Sequence, residues 1–503
     1  MPKRLVIVGG VAAGASAAAK ARRSNEKIEI VMFESGPYMS FANCGLPYYV
    51  GGEIAERRSL FVANPKSFQR RFRVDVRLES TVTGVDPESQ EVVFETAGGS
   101  VDRLAYDRLI LGTGTVPFRL PLEGIEAPNI FECRTVPDVD AILASLRELQ
   151  QPLPAQQETS PGGAAAGGQA LIIGAGYIGL ECAEQLRNRG LNVTVVEALD
   201  QILGPLDHEM TLPVLDAMQA AGIRVLLSDL VSGFDHSGDR SLALLKSGKK
   251  LEFDLAVIGV GVRPQVELAG SAGLRLGETG AIAVDAHQRT SDPHIFAAGD
   301  NCESVFLPTG GKVNIPLAGP ANKQGRVAGQ NAALDLLEKE ESDAARLSLR
   351  GVLGTSIVRV CGMVAGGTGL TEKIARRLER EVAVAYNIGS NHAGYYPGAQ
   401  SLFLKLVYDP EDGRLLGAQA AGPDGVDKRL DILATAIYGG LTIEDLEQLD
   451  LCYAPPFGSA KDVVILTGMA AANTLRGTSP SITPAALFEE QRGENPPFLL
   501  DVR

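Results

Sequence analysis

Two stretches of this chain repeat one local plan, and few folds accommodate it. Leu5 to Val8 is a short apolar run, Gly9 to Gly14 a glycine turn, and Ala15 to Arg23 an alanine-rich helix; Ile28 to Phe33 is a second strand, closed by Glu34. The order returns with Ala170 to Ile173, the turn Gly174-Ala-Gly176-Tyr-Ile-Gly179, the helix Leu180 to Arg189 and the strand Val193 to Val196, closed by Glu197. An all-apolar strand is one buried on both faces, as in a parallel sheet. Glycines at a strand-to-helix turn let a pyrophosphate approach the backbone, where the helix N-terminus offers free N–H groups. An acid about 20 residues on accepts hydrogen bonds from the adenosine ribose. One such glycine pattern is weak; two, each with strand, helix and terminal acid, are strong. The chain is therefore expected to be α/β, with two Rossmann-like dinucleotide-binding domains. The first loop departs from the fingerprint, because Val11 stands where its second glycine belongs.

Glu197 bears on cofactor choice. A carboxylate there repels a 2′-phosphate, and no arginine follows in Ala198-Leu199-Asp200. NADH is expected ahead of NADPH.

Other features limit what the chain can do. Its 503 residues suit about three domains. A net charge of −14 argues against nucleic acid and anionic membrane surfaces as partners. No segment reads as a membrane span. Lys3-Arg4 and the apolar run after it parse as strand, turn and helix rather than as a secretory leader. The six cysteines are scattered, with no CxxC or Cys/His metal spacing, so a reducing, cytoplasmic setting and no metal are expected. Gln151 to Gly168, rich in Pro, Gly, Ala and Gln, reads as a flexible insertion.

Cys44 follows the first unit, in Ser40-Phe-Ala-Asn43-Cys44-Gly45. If Asn43 or a neighbour caps a following helix, its N-terminus lowers the thiol pKa. The remaining cysteines are expected to be inert and buried. From about residue 330 the glycine-loop grammar stops; a strand at Leu402 to Val407 and a helix near Arg429 to Tyr438 point to a separate α+β domain. Beyond Asn473 the sequence turns polar and ends on Phe498 to Arg503, an apolar strand with no partner, as if cut there.

With both loops and Cys44 in view, the chain resembles the single-cysteine branch of the pyridine nucleotide–disulfide oxidoreductases, and within it the coenzyme A–disulfide reductases. Val8 to Gly14 resembles their FAD loop, with the same non-glycine at its middle. Leu109 to Gly114 and Ile295 to Asp300 resemble their remaining FAD contacts. The resemblance implies FAD contacts at Gly9, Gly10, Ala13, Gly14, Glu34, Ser35, Thr113, Gly114, Asp300 and Pro316. It implies NAD(P)H contacts at Gly174, Gly176, Tyr177, Ile178, Gly179, Glu197 and Gly261, with Tyr177 gating the nicotinamide. It divides the chain into an FAD part (1–119 and 249–329), an NAD(P)H part (120–248), a dimerisation domain (330–472) and a tail (473–503). His392 to Gly398 and Cys452 to Asp462 resemble the signatures of that dimerisation domain, implying a homodimer in which Tyr395 and Tyr453 reach the partner's active site. Thr483 to Phe488 with Phe498 to Arg503 resembles the opening of a rhodanese domain, as in fused reductases of CoA persulfides and polysulfides.

A lone cysteine constrains the chemistry. The second sulfur comes from the substrate as a mixed disulfide with CoA, or the thiol cycles through sulfenic acid as in NADH peroxidases and oxidases. Those enzymes typically carry a histidine in the first loop, where this chain has Ala12. A redox sensor without turnover is a further alternative. Ser16, Lys20 and Arg23 fall at i, i+4 and i+7 on one helix face, a positive patch in an acidic chain. The resemblance adds Ser40, Asn43, Asn322 and Lys461 to these as CoA contacts.

Overall fold

The computed structural model describes residues 2–149, 167–238, 240–337 and 346–501. Most of the insertion expected at 151–168 lies outside them. The chain forms two compact units, Met1–Ala365 and Gly366–Arg503.

The first unit holds two five-stranded sheets of the same design. In the first sheet, Arg4–Val8 lies between Glu29–Phe33 and Arg108–Leu111, all parallel, with Asp75–Arg77 and Ile295–Ala297 at the edges. In the second, Gln169–Ile173 lies between Asn192–Val196 and Leu255–Ile258, with Arg224–Leu226 and Ile130–Glu132 at the edges. Leu5, Val6 and Ile7 have no exposed surface, as a strand covered on both faces requires.

Helix α1 (Ala12–Ser24) follows the first strand, and a short α2 (Leu46–Gly51) follows Cys44. Helix α3 (Tyr177–Asn188) follows the first strand of the second sheet, and α4 (Ala318–Leu334) closes over α1. The α1–α4 seam runs backbone to backbone. A Cβ on Gly325 would stand 2.2 Å from the Ala13 carbonyl oxygen, and one on Gly329 would stand 2.2 Å from that of Ala17.

Two expected boundaries move. Leu255–Ile258 completes the second sheet, although residue 248 was expected to end that domain; a three-stranded antiparallel meander, Val231 to Phe253, delays the closing strand. Likewise, Leu347 and Leu349 are hydrogen-bonded to Asn331 and Ala286 inside the first unit, although the dimerisation domain was expected from 330.

In the second unit Ala383–Ser390, Ser401–Tyr408 and Leu415–Gly422 pair antiparallel, with Ser401–Tyr408 in the middle. Helices α5 (Val426–Gly439) and α6 (Val463–Leu475) pack on them. The segment after Thr483 forms α7 (Pro484–Glu490), with the Thr483 side chain capping it. Residues 498–501, expected as part of an apolar strand without a partner, pair with no strand among the described residues.

Candidate functional site

Each glycine loop is built by the same contacts. Gly9 has φ +102° and Gly174 φ +99°, a region open to glycine. A Cβ on Gly9 would lie 2.1 Å from the Gly112 carbonyl oxygen, and one on Gly174 2.5 Å from that of Gly259. Gly14 and Gly179 press on the carbonyl oxygens of Gly9 and Gly174, where a Cβ would stand at 1.8 and 2.1 Å. The closing acids hold the turns: Glu34 accepts from the Gly10 N–H at 2.7 Å and Glu197 from the Ala175 N–H at 2.6 Å. Neither α1 nor α3 has a side chain capping its N-terminus, so both helix ends keep N–H groups free for a phosphate. Two such cradles fit two dinucleotides.

The remaining residues expected around FAD gather at the first loop. Gly299 lies against Ala13, where its Cβ would be 3.0 Å from that of Ala13. Asp300 follows directly, half-buried. Thr113 receives a hydrogen bond from Asn301 at 3.0 Å, and Gly114, at φ +71°, opens the next turn. Ser35 is exposed beside Glu34, and Pro316 is exposed just before α4. On the second loop Gly176 is the residue before α3, Ile178 is exposed, and Gly261 takes φ +105°. The Tyr177 hydroxyl meets the Ser356 hydroxyl at 2.7 Å, and burial pushes its phenol up.

Cys44 lies in a short turn, Asn43–Gly45, directly ahead of α2. Its residue surface is open to solvent. The segment starts under strain, with Ser40 at φ +46°. The Ser40 N–H donates to the Gly10 carbonyl at 2.9 Å, which ties the segment to the first loop. The expected cap is absent: Asn43 donates to the Arg134 carbonyl at 3.2 Å, and no side chain caps α2. The thiol is pushed up rather than down. Its sulfur is set back among protein atoms, and that desolvation together with the Glu181 and Asp300 carboxylates outweighs the turn's backbone N–H.

The structure adds three residues that the sequence reading missed. Glu181 on α3 accepts from the Tyr48 hydroxyl at 2.8 Å, and burial pushes its carboxyl up. Arg134 stands near Asp300, whose carboxyl burial pushes up and this guanidinium holds back. Arg326 on α4 stands near Lys20, with burial and the Arg326 and Arg23 charges pushing the Lys20 ammonium down. An acid one turn beyond Tyr177 was the available signal for Glu181; the two arginines carried none. Of the expected CoA contacts, Ser16 and Asn322 touch, their side-chain oxygens 2.5 Å apart.

Cys133, Cys182 and Cys302 are buried as expected. Cys361 is half-buried and Cys452 exposed, against expectation, because both sit in loops rather than on packed faces.

In the second unit Tyr395 and Tyr453 are exposed, at 75% and 49%, and their hydroxyls are 2.8 Å apart. Arg429, fully buried on α5, fixes both loops: it donates to the Asn391 carbonyl at 2.7 Å and to Asp462 at 2.6 Å. Lys461 is exposed beside Asp462. The Tyr396 ring rests edge-on to His392. Among the described residues, no helix is long and apolar enough to cross a membrane.

Comparison with known proteins agrees with this geometry. Residues 3–325 match the pyridine nucleotide-disulphide oxidoreductase family, and residues 355–463 match that family's dimerisation domain. A protein named NADH oxidase from Methanocaldococcus jannaschii is 32% identical over 454 residues, 90% of this chain and 95% of that protein. The coenzyme A disulfide reductase of Staphylococcus haemolyticus is 31% identical over 93% of this chain and 98% of its own. The CoA-dependent NAD(P)H sulfur oxidoreductase of Pyrococcus furiosus is 33% identical over 92% and 98%. Among solved structures, reduced Bacillus anthracis CoADR-RHD superposes with TM-score 0.89 at 39% identity, covering 98% of this chain and 83% of that one. A NAD-dependent persulfide reductase from A. fulgidus gives TM-score 0.88 at 35% identity, covering 97% and 86%. The chain is an oxidoreductase and belongs to the pyridine nucleotide-disulphide oxidoreductase family, which implies FAD and NAD(P)H as its cofactors.

Proposed function

We propose that this protein uses NAD(P)H to reduce CoA disulfide, CoA persulfide or polysulfide through a mixed disulfide between Cys44 and CoA. The observation that carries the reading is Cys44 itself: an open thiol beside the first glycine loop, while Cys133, Cys182 and Cys302 of the same unit are buried. No second cysteine lies within a few residues of Cys44, so the second sulfur is the substrate's. The Cys44 thiolate attacks one sulfur of RS–SR, forming Cys44–S–SR and releasing RS⁻, which takes a proton. Bound FAD supplies two-electron transfer from NAD(P)H, and two electrons cleave Cys44–S–SR to RSH and the free thiolate. The net reaction is NAD(P)H + H⁺ + RSSR → NAD(P)⁺ + 2 RSH. The names of the staphylococcal, Pyrococcus and A. fulgidus proteins support this substrate class.

The residues expected around FAD, NAD(P)H and CoA keep those assignments as part of this proposal. NADH is the preferred donor, because Glu197 stands at the ribose position of the second loop. The chain works as a cytoplasmic homodimer, in which Tyr395 and Tyr453 of one subunit serve Cys44 of the other. Support comes from the dimerisation-domain match and from two exposed phenols that can protonate a leaving thiolate. Residues 473–503 are read as a linker and the opening of a rhodanese-like domain, supported by the capped helix α7.

The test is intact mass before and after reduction, combined with Cys44→Ser. A CoA-sized or sulfur-sized adduct on Cys44, and loss of disulfide reduction by several orders of magnitude in Cys44→Ser with FAD retained, support the reading. Substantial reductase activity in Cys44→Ser overturns it. The name of the Methanocaldococcus relative favours a second reading, an NADH oxidase using a Cys44 sulfenic acid. One added oxygen, with water or peroxide as product, would decide for that reading.

A further inference from the structure

The hydroxyl of Tyr177 is held by a residue from far along the chain. Ser356 opens the strand Ser356–Val360, and its side-chain oxygen lies 2.7 Å from that of Tyr177. Alternate residues of a strand share a face, so Ser356 stands on the same face as Val358 and Val360, both buried. A hydroxyl thus occupies a place in a row that otherwise carries valine. Tyr177 and Ser356 are each half-buried, and each hydroxyl gives the other a partner.

The strand cannot follow Tyr177 if the ring moves. Arg359, three residues past Ser356, donates to both oxygens of Glu53, at 2.7 and 2.6 Å, and lies over the Tyr48 ring, 5.8 Å from its centroid. Just past the strand, the Cys361 N–H donates to Glu184 on α3 at 2.7 Å. Helix α3 is equally fixed. Glu181, one turn beyond Tyr177, accepts from Tyr48, and Gln185, a turn further, donates to Glu53 at 2.9 Å. Strand and helix are therefore tied to each other and to α2, and rotation of the Tyr177 side chain is what can break the hydroxyl pair. Side chains rotate between discrete wells, so the ring is either latched or released.

Tyr177 directly follows Gly176, and its side chain leaves the second glycine loop at the helix end that suits a dinucleotide phosphate. Resting on the NAD(P)H assignments above, in which Tyr177 gates the nicotinamide, we propose that Ser356 is the latch of that gate. It is a positioning residue: it holds Tyr177 in the closed position and thereby sets the affinity for NAD(P)H. Entry of the nicotinamide breaks the pair, so apparent affinity scales with the fraction of molecules already released. One hydrogen bond between neutral groups shifts such an equilibrium roughly two- to tenfold.

The experiment is calorimetric titration of NAD⁺ into oxidised holoenzyme, which proceeds without turnover, alongside KM for NADH. Ser356→Ala and Tyr177→Phe each remove one hydroxyl of the same pair. Each is expected to tighten NAD⁺ binding about threefold and to lower KM for NADH to match, with flavin absorbance per chain retained. The double variant is expected to equal either single one, because the second substitution removes a bond already lost. Ser356→Thr keeps the hydroxyl and is expected to bind as wild type does. Unchanged or weaker NAD⁺ binding in Ser356→Ala, or effects that multiply in the double variant, overturn the latch while the gate reading of Tyr177 stands. If Tyr177→Ala leaves both NAD⁺ binding and KM for NADH as in wild type, Tyr177 is not at the nicotinamide site, and the latch falls with that reading.

Discussion

The two glycine loops share a backbone, and their difference at the middle position, Val11 against Gly176, separates what the fold needs from what a ligand needs. At the first and third positions, Gly9 and Gly14 on one loop and Gly174 and Gly179 on the other, a Cβ would collide with backbone oxygen. At the middle position the backbone makes no such demand. Val11 has φ −96° and Gly176 φ −78°, and a Cβ on Gly176 would be 3.9 Å from its nearest neighbour, the Gly259 carbonyl oxygen. The middle glycine therefore answers to close approach of a pyrophosphate, and Val11 costs the first turn nothing. The loops also differ in what covers their helices. Helix α1 is sealed by α4 through backbone contact, whereas α3 is joined to α2 by polar groups: Tyr48 to Glu181, and Arg189 to the Val50 carbonyl at 2.9 Å.

Breaking the shared part should have the largest effect. Gly9→Ala is expected to abolish FAD retention, seen as loss of flavin absorbance, and activity with it. Gly174→Ala is expected to keep FAD yet raise KM for NADH tenfold or more. Loss of flavin from Gly174→Ala would show that the loops are not separate sites. The seam comes next. Gly325→Val forces α1 and α4 apart and should cost about 3 kcal/mol, read as a lower denaturation midpoint, whereas Tyr48→Phe on the polar side should cost about 1 kcal/mol. Comparable losses would remove the contrast between seam and polar joint.

A smaller effect is electrostatic. A thiol pushed up carries less thiolate at neutral pH, so alkylation of Cys44 should still be accelerating as pH rises through the ordinary thiol range. Removing the Glu181 charge removes one of the causes, so Glu181→Gln should shift the alkylation profile to lower pH. A shift to higher pH would show that Glu181 does not act on the thiol through its charge. The smallest effect belongs to the middle position. Val11→Gly should change stability by no more than about 1 kcal/mol and leave flavin content unchanged; a larger loss would mean that the Val11 side chain is part of the packing.

What the sequence made legible was local. The strand, turn, helix, strand and acid of each unit lie within about 35 residues, and propensity and spacing report on such neighbours. The partners of the loops come from afar. Gly112 and Gly259 close them from other strands; the family resemblance reached Gly112 through Leu109 to Gly114, whereas Gly259 carries no mark that distinguishes it from a turn residue. Arg326 lies some three hundred residues from Lys20, and an arginine on a helix looks like a solvated side chain until another helix is placed beside it. The thiol pKa was misjudged for the same reason: the expected cap was local, while Glu181 and Asp300 arrive from elsewhere in the fold. The late closing strand Leu255–Ile258 was misplaced because the meander before it has no counterpart in the nucleotide-binding plan.

The buried pair of Arg429 and Asp462 carries a consequence for descent. Asp462 both caps α6 and neutralises Arg429, and Arg429 also holds the Asn391 carbonyl. Losing either partner leaves the other charged and dry, an intermediate several kcal/mol less stable than its parent. Neither position can drift alone. Lineages that part with this pair must change both residues nearly together, so 429 and 462 should covary among relatives while the exposed Tyr396 and Lys461 beside them vary independently.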